Sequence, residues 1–399
     1  MLRLLLILTL LTTALACGSK AEAKSGEAIA VERCEEVLVG ATDTASYMPL
    51  LRGKRVAVLA NHTAMFDTQE HIVDMMHREG INLVGIFAPE HGFRGSVEAG
   101  VVVRNSVDER TGVPILSLYT GTKRRPSDEV MRSFDLLVVD MQDVGLRFYT
   151  YYVTMLQIME ACADFGQQVV VLDRPNPNGH YVDGPTLDMK YKSGVGWIPI
   201  PVVHGLTMGE IARMAIGEGW VPEVPLTVIR CRNYDHSTHY TLPIAPSPNL
   251  PTQHSIYLYP STCLFEGTVL SMGRGTDAPF EIYGHPDMRG YDFEFTPQPN
   301  AGSKNPPHQG VVCYGVDLRG VSDADIWAKG VNIEYLVDAY NNLKLGDKFF
   351  KSVFEKLIGV SYVREMIIAG HTADEIKARW ADDVERFKQQ RRKYLLYKE

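Results

Sequence analysis

Short apolar runs and longer amphipathic stretches alternate along residues 53–232. Arg55-Val56-Ala57-Val58-Leu59-Ala60-Asn61 is almost continuously apolar, as in a strand buried on both faces. Residues 69–79 then set Ile72, Val73, Met75 and Met76 on one side of a helix. Asn82-Leu83-Val84-Gly85-Ile86-Phe87 reads as a second strand and Pro114-Ile115-Leu116-Ser117-Leu118-Tyr119 as a third. Ser127 caps a short helix carrying Val130, Met131 and Phe134. Asp135-Leu136-Leu137-Val138-Val139-Asp140 is the clearest buried strand of the chain. A long apolar-rich helix over 150–165 follows. After it come a strand at Val169-Val170-Val171-Leu172-Asp173, a helix over 208–218 and a strand at Leu226-Thr227-Val228-Ile229-Arg230. Strands alternating with helices predict an α/β fold, with a mostly parallel sheet covered on both faces.

Right-handed crossovers put the carboxyl ends of these strands on one edge. Polar residues mark the exits: Asn61-His62, Glu90-His91, Asp140-Met141-Gln142-Asp143 and Asp173-Arg174-Pro175-Asn176-Pro177-Asn178. Ligands of open α/β sheets bind at this edge, so the exits are expected to converge into one site. The densest is Ala88-Pro89-Glu90-His91-Gly92-Phe93-Arg94-Gly95. It sets a carboxylate, an imidazole and a guanidinium on a stiff turn, and Glu90 is the first candidate for chemistry. Asp140 and Asp143 stand three residues apart; one is expected to cap the following helix and the other to serve the site. Asp173, Arg174, Asn176 and Asn178 offer the bonds that a hydroxylated or amide-bearing ligand takes.

Pro243, Pro246, Pro248 and Pro251 predict a stiff linker and a domain boundary. Beyond them the texture changes. Glu266-Gly267-Thr268, Met272-Gly273-Arg274-Gly275-Thr276 and Pro279-Phe280-Glu281 form a Gly-rich polar stretch. A strand is expected at Val311-Val312-Cys313-Tyr314-Gly315-Val316, with helices over 334–343 and 349–358. A last helix opens on the capping box Thr372-Ala373-Asp374-Glu375 and presents Ile376, Trp380, Val384 and Phe387. The expected organisation is a sheet domain over 41–245 and a smaller α+β domain over 246–399.

The amino terminus is not part of this fold. Met1-Leu2-Arg3 precedes an apolar run from Leu4 to Ala16, and Cys17 follows the small residues Ala14-Leu15-Ala16. The pattern predicts a signal peptide over 1–16, a lipidated Cys17 and a flexible tether over 17–40. The run is too short to span a bilayer, so a lipid anchor is the expected membrane contact. That places a lipoprotein in the cell envelope, in the periplasm or on the outer membrane. A net charge of −8 without a basic run argues against nucleic acid. Cys34, Cys162, Cys231, Cys263 and Cys313 are scattered, with no C-x-x-C pair, and read as buried thiols rather than zinc ligands. Asp140 and Asp143 have no further ligand at metal spacing. The chain lacks a G-x-G-x-x-G after its first strand, a G-x-S-x-G elbow and an H-E-x-x-H helix. A dinucleotide enzyme, a serine hydrolase and a zinc protease are thereby disfavoured, and no cofactor or metal is expected.

Six blocks together resemble one family. They are Ala-Pro-Glu-His-Gly-Phe-Arg-Gly (88–95), Val-Asp-Met-Gln-Asp-Val-Gly-Leu-Arg-Phe-Tyr-Thr-Tyr (139–151), Leu-Asp-Arg-Pro-Asn-Pro-Asn-Gly (172–179), Pro-Ser-Pro-Asn-Leu-Pro-Thr (246–252), Cys-Leu-Phe-Glu-Gly-Thr (263–268) and Gly-Arg-Gly-Thr (273–276). The family is the bacterial exo-β-N-acetylmuramidases, and the resemblance covers about residues 40–399. It implies a Rossmann-like N-terminal domain, a smaller C-terminal domain and an active-site cleft between them. It also implies release of N-acetylmuramic acid from the non-reducing end of peptidoglycan fragments, so the expected partners are muropeptides or MurNAc-GlcNAc saccharides. Such a reaction needs a proton donor and either a second carboxylate or help from the substrate. Glu90 is assigned as general acid. The second group is open among Glu266, Asp140, Asp143, Glu98 and the 2-acetamido group of the sugar itself. The lactyl carboxylate of the substrate needs a cationic fork, for which Arg94, Arg174 and Arg274 are candidates. His91, Glu98, Asp173, Asn176, Asn178 and Glu281 complete the candidate substrate contacts. A non-catalytic muropeptide-binding envelope lipoprotein would share the cleft, the tether and the polar edge.

Overall fold

The first half of the chain builds one twisted sheet from β1 (Val56–Ala60), β2 (Leu83–Phe87), β3 (Ser106–Val107), β4 (Pro114–Leu116), β5 (Leu136–Asp140), β6 (Gln168–Leu172) and β7 (Leu226–Ile229). The spatial order is β3-β4-β2-β1-β5-β6-β7. All neighbours run parallel except β3, which lies antiparallel to β4 at the edge. The order turns back between β1 and β5, which makes their carboxyl ends the switch point of the sheet. This computed structural model describes residues 36–66, 70–89, 93–94, 106–116, 118 and 125–399. Cys17, Cys34, Glu90, His91 and Glu98 lie outside the described residues, as do the expected signal peptide and most of the tether.

Strand alternation divides the core. Val58, Ala60, Ile86, Val138, Val170 and Leu172 face α1 (Thr44–Leu51) and α2 (Ile72–Arg78). Ala57, Leu59, Phe87, Leu137, Val139, Val169 and Val171 face the other way. There they meet α3 (Asp128–Arg132), α4 (Tyr151–Phe165) and α5 (Met208–Gly217). Burying each large apolar side chain contributes about 1.5–3 kcal/mol, and α4 alone buries Val153, Met155, Leu156, Ile158 and Met159.

The second core continues into the rest of the chain, where Leu264, Phe265, Phe349, Phe354 and Trp380 join the same cluster. This half begins with α6 (Gln253–Thr262) and a 3-10 turn at Cys263–Gly267. A small antiparallel sheet follows, in the order β8-β10-β9, from β8 (Ile282–His285), β9 (Phe293–Phe295) and β10 (Cys313–Asp317). It ends in α7 (Asp323–Lys329), α8 (Glu334–Leu343), α9 (Phe354–Ile358), α10 (Tyr362–Ile368), α11 (Ala373–Ala378) and α12 (Ala381–Arg391). Val37–Glu399 forms one compact unit.

Three local expectations are corrected. The proline-rich stretch is no free linker, because Pro246, Ser247, Asn249 and Leu250 are buried. The helix expected over 349–358 is only α9, preceded by a 3-10 turn at Gly346–Phe349. The last helix breaks at Trp380, where the buried indole donates to Asp183 Oδ1 at 2.9 Å. The Thr372–Glu375 capping box is present as read, but it starts only the first of the two pieces.

Arg147 joins the two halves. It follows β5 by seven residues and is fully buried, with no carboxylate partner among the described residues. Its guanidinium donates to the carbonyls of Pro185 at 2.6 Å, Ile200 at 3.0 Å and Leu357 at 2.8 Å. Burial pulls its pKa down to about 10, still high enough to keep it charged at neutral pH. Leu357 lies on α9, so one cation ties the loop after β5 to the C-terminal helices. Each carbonyl left dry costs about 1–3 kcal/mol. Arg147→Met is therefore expected to lower the melting temperature by roughly ten degrees or more, with Arg147→Lys recovering only part. A melting curve for Arg147→Met within about two degrees of wild type would refute the role.

Candidate active site

A cavity of about 130 Å³ opens where the start of α4, the buried proline strap and the C-terminal loops meet. Phe148, Tyr149 and Tyr151 come from the loop that Arg147 anchors. Ser247, Asn249 and Leu250 come from the strap, and Tyr259, Glu266, Arg274 and Phe280 from the second half. The strap is fixed to the first wall by two hydroxyls: Tyr149 and Tyr151 both donate to the Pro246 carbonyl, at 3.0 and 3.1 Å. Burial pushes the Tyr149 and Tyr259 phenols well above their ordinary value, so both stay protonated. The aromatic wall is knit edge to face. Ring centroids lie 4.6 Å apart for Tyr149 and Tyr151, 5.4 Å for Phe148 and Tyr259, and 4.7 Å for Tyr259 and Phe280.

The charged pair of the cavity is Glu266 with Arg274. Glu266 Oε1 accepts from Arg274 Nε at 2.9 Å and from Nη2 at 2.6 Å. Both side chains keep partial exposure, 30% for Glu266 and 23% for Arg274. Among the described residues, no hydrogen bond is made to Glu266 Oε2 or from Arg274 Nη1. Each partner therefore has a free polar edge. Local backbone explains the placement. Gly273 and Gly275 take φ of +79° and +83°, in the left-handed region that other residues avoid. A Cβ on Gly273 would meet the Ala278 carbonyl at 2.5 Å. Phe280 takes φ of +63° without being glycine, a strained state held by its amide bond to the Met272 carbonyl at 2.7 Å. Its ring lies 5.1 Å from the Arg274 guanidinium.

The strand exits of the first half do converge, but on one another. Asp140 and Arg174, expected at the ligand, form a buried ion pair at 2.5 Å, and Arg174 also donates to the Met65 carbonyl. Asp173 is fully buried; it accepts from the Thr207 and Tyr397 hydroxyls, each at 2.7 Å, and from the Gly209 amide at 2.9 Å. Asn176 bonds the Leu206 carbonyl and the Asn178 amide, while Asn178 bonds the Val144 carbonyl. Arg94 is clamped by Asp74 and Asp108. Glu281 is buried against the Thr252 hydroxyl at the start of α6. These side chains brace loops and do not line the cavity. Thr150, which precedes α4, makes no side-chain cap, and the Asp143 carboxylate takes backbone amides of Gly145, Val144 and Tyr152, the last in the first turn of α4. Asp143 Oδ1 accepts from the Gly145 amide at 2.7 Å, and its Oδ2 has no hydrogen-bond partner. Among the described residues no group of three or more His, Cys, Asp or Glu is placed to hold a metal. The sequence pointed to Glu266 and Arg274; Ser247, Asn249 and Phe280 stood within quoted stretches without being singled out as site residues, and Tyr259 carried no motif at all.

Comparison with known proteins covers both halves. The N-terminal family model of exo-beta-N-acetylmuramidase NamZ matches residues 56–254 and the C-terminal model residues 257–397. The peptidoglycan beta-N-acetylmuramidase NamZ of Bacillus subtilis (strain 168) is 37% identical over 370 residues, 88% of this chain and 89% of that protein. Two crystal structures of DUF1343 family proteins from Bacteroides fragilis NCTC 9343 are similar throughout. One is 56% identical with a TM-score of 0.86, the other 28% identical with a TM-score of 0.75. Each comparison spans 91% of this chain and 99% of the other.

The buried acids beneath the cavity make a pH prediction. Burial pushes Asp143 up to about 7 and Asp173 up to about 6, against roughly 3.9 in an unfolded chain. Between those values the folded protein keeps protons that the unfolded chain has lost, so their contribution to stability falls as pH rises. His180 and His204, pulled down to about 4 and about 3 by burial, act in the opposite sense. The diagnostic quantity is thus a difference. The melting temperature of Asp143→Asn minus that of wild type is expected to grow from pH 4 to pH 7 and then level off. A difference that stays constant across that range would show that Asp143 is ionised throughout.

Proposed function

Because the chain belongs to the exo-β-N-acetylmuramidase family along both of its halves, we propose that it removes N-acetylmuramic acid from the non-reducing end of peptidoglycan fragments. The observation that carries this reading at the level of side chains is the Glu266–Arg274 pair in an aromatic-walled cavity, each member with a free edge. Glycoside cleavage needs a proton for the leaving oxygen and negative charge near the developing oxocarbenium ion. Glu266, paired with a guanidinium, suits the anionic role. Its free oxygen is available to face the sugar or to steer the 2-acetamido group. The acid must come from elsewhere. Glu90 stands three residues after β2 in the sequence and takes that role in this reading. The aromatic rings offer apolar faces to the sugar ring.

The lactyl group distinguishes the muramyl sugar from N-acetylglucosamine by one carboxylate. Of the three arginines considered, Arg94 and Arg174 are spent on carboxylates of the protein. Arg274 alone lines the cavity, and its unbonded Nη1 is suited to a second carboxylate.

Glu90→Gln is expected to cut release of the terminal sugar from a chromogenic muramyl glycoside by about 10²-fold or more, with the circular dichroism spectrum unchanged. Turnover close to wild type would remove Glu90 from the mechanism, and no turnover by wild type would leave only a binding protein. Arg274→Lys is expected to narrow the preference for muramyl over N-acetylglucosaminyl substrates by roughly tenfold, the value of one strong charge-assisted contact. An unchanged ratio of kcat/KM values would free Arg274 from substrate selection.

A further inference from the structure

Among the described side chains that line the cavity, Asn249 is the single carboxamide, and it is only 4% exposed. Its side-chain nitrogen donates to the Gly302 carbonyl at 2.8 Å. A carbonyl only accepts, so this bond fixes which end of the carboxamide is which. Its backbone amide donates to Ser247 Oγ at 3.2 Å, in a tight turn that the Leu250 amide closes onto the Ser247 carbonyl at 3.0 Å. No donor of the described residues reaches Asn249 Oδ1. The cavity wall therefore holds a buried amide whose donor end is spent and whose acceptor end is open.

Gly302 belongs to the long loop between β9 and β10. That loop is bonded to the turn that carries Arg274. The Gln298 amide donates to the Gly275 carbonyl at 2.8 Å, and Asn300 Nδ2 donates to the Thr276 carbonyl at 3.2 Å. Asn300 Oδ1 accepts in turn from the amides of Gly302 at 3.0 Å and Ser303 at 2.9 Å. A chain of hydrogen bonds thus runs from the Arg274 turn through Asn300 and Gly302 to the Asn249 carboxamide. The fit at its end is close, because a Cβ on Gly302 would meet Asn249 Oδ1 at 2.8 Å.

We propose that Asn249 reads the 2-acetamido group of the sugar, with its Oδ1 accepting from the acetamido N–H. The proposal rests on the glycosidase reading above and deepens it, by naming the residue that separates an N-acetylated sugar from one without that N–H. The donor and the acceptor match. A secondary amide offers one N–H, and Asn249 Oδ1 is a neutral acceptor whose direction is set from behind by Gly302. A ligand that lacks the N–H would leave this buried acceptor dry, and a site built on such a bond discriminates strongly for that reason. The substrate gives a second argument. In a muramyl sugar the acetamido group and the lactyl ether stand on adjacent carbons of one ring. Asn249 and Arg274, proposed for those two groups, line one cavity and are joined through one loop.

The test measures binding by calorimetry, apart from turnover. The two ligands are N-acetylmuramic acid and its 2-O-acetyl counterpart, in which an oxygen replaces the N–H at nearly the same size. Wild type is expected to bind the acetamido sugar more tightly by roughly tenfold, ~1.4 kcal/mol. In Asn249→Ala that ratio of Kd values should fall close to unity. Gly302→Ala lies outside the cavity lining and displaces Asn249 Oδ1, so the ratio should fall there too. This second variant carries the test if Asn249→Ala does not fold. A ratio that is the same in wild type and variants overturns the contact, even if both sugars bind more weakly, since equal weakening marks a general defect. Equal binding of the two sugars by wild type overturns it as well. A wild type that binds the acetamido sugar selectively but cleaves no muramyl glycoside would fell the glycosidase reading and leave the contact standing.

Discussion

A buried guanidinium bonded to three carbonyls holds the two halves of this protein in one arrangement. Among the described residues Arg147 has no carboxylate to neutralise it, and hydrogen bonds to the carbonyls of Pro185, Ile200 and Leu357 compensate it for leaving water. The third of these bonds exists only when α9 is docked. Gly359, just past the end of α9, marks how tight the fit is, because a Cβ there would meet Arg147 Nη2 at 2.6 Å. The consequence reaches the cavity from both sides. Arg147 is followed directly by Phe148, Tyr149 and Thr150, which form one wall. On the other side α9 packs against the turn that bears Glu266. A Cβ on the adjacent Gly267 would lie 2.7 Å from Phe354 Cα, so that turn cannot shift without α9. One cation thereby sets the distance between the aromatic wall and the Glu266–Arg274 pair.

Among the described residues, the loops at the switch point of the sheet are bonded largely to one another. Asp140 pairs with Arg174, Asp173 bonds Thr207 and Tyr397, and Asn176 bonds Asn178, while the buried Asn61 Nδ2, Asp143 Oδ2 and Asn178 Oδ1 find no hydrogen-bond partner there. The partnered groups brace the exits of β5 and β6 against one another. The cavity sits next to these exits, where the loop after β5 meets the second half. Asp143 shows how dry they are: burial pushes its carboxyl up to about 7, even with the Gly145 amide bonded to it.

The sheet was legible because its strands are buried on both faces and read as unbroken apolar runs. The helix starts at Ser127 and Thr372 were legible because capping chemistry is local. Helix α6 was not, because Ile256-Tyr257-Leu258-Tyr259-Pro260 looks like an extended segment. It is helical because it is buried on nearly all sides and capped by Thr252 and Ser255. For the cavity, charge was the visible signal. Glu266 and Arg274 stood out among glycines, whereas Tyr259 and Phe280 resembled any core aromatic. The strand-exit residues allow two readings for a physical reason. The groups that would bind a sugar hydroxyl are the same groups that satisfy buried backbone, and their type and spacing do not say which partner they have.

Position relative to the two halves separates the chemical roles. A general acid must hold its proton near neutral pH, which requires burial without a nearby cation. An anion that stabilises an oxocarbenium ion needs a free carboxylate edge turned to the ligand, which Glu266 keeps while its Oε1 is bonded to Arg274 at 2.6 Å. In the proposed mechanism Glu266 takes the second role, and the acid is a carboxyl group away from Arg274. Two carboxylates on different halves keep a fixed separation only if the halves do not slide. In a glycosidase that separation decides whether water or a carboxylate attacks the sugar. The Arg147 tie and the Tyr149–Tyr151 grip on Pro246 hold the aromatic wall of the cavity against the half that carries Glu266 and Arg274, so the geometry around that ion pair depends on bonds made well outside it.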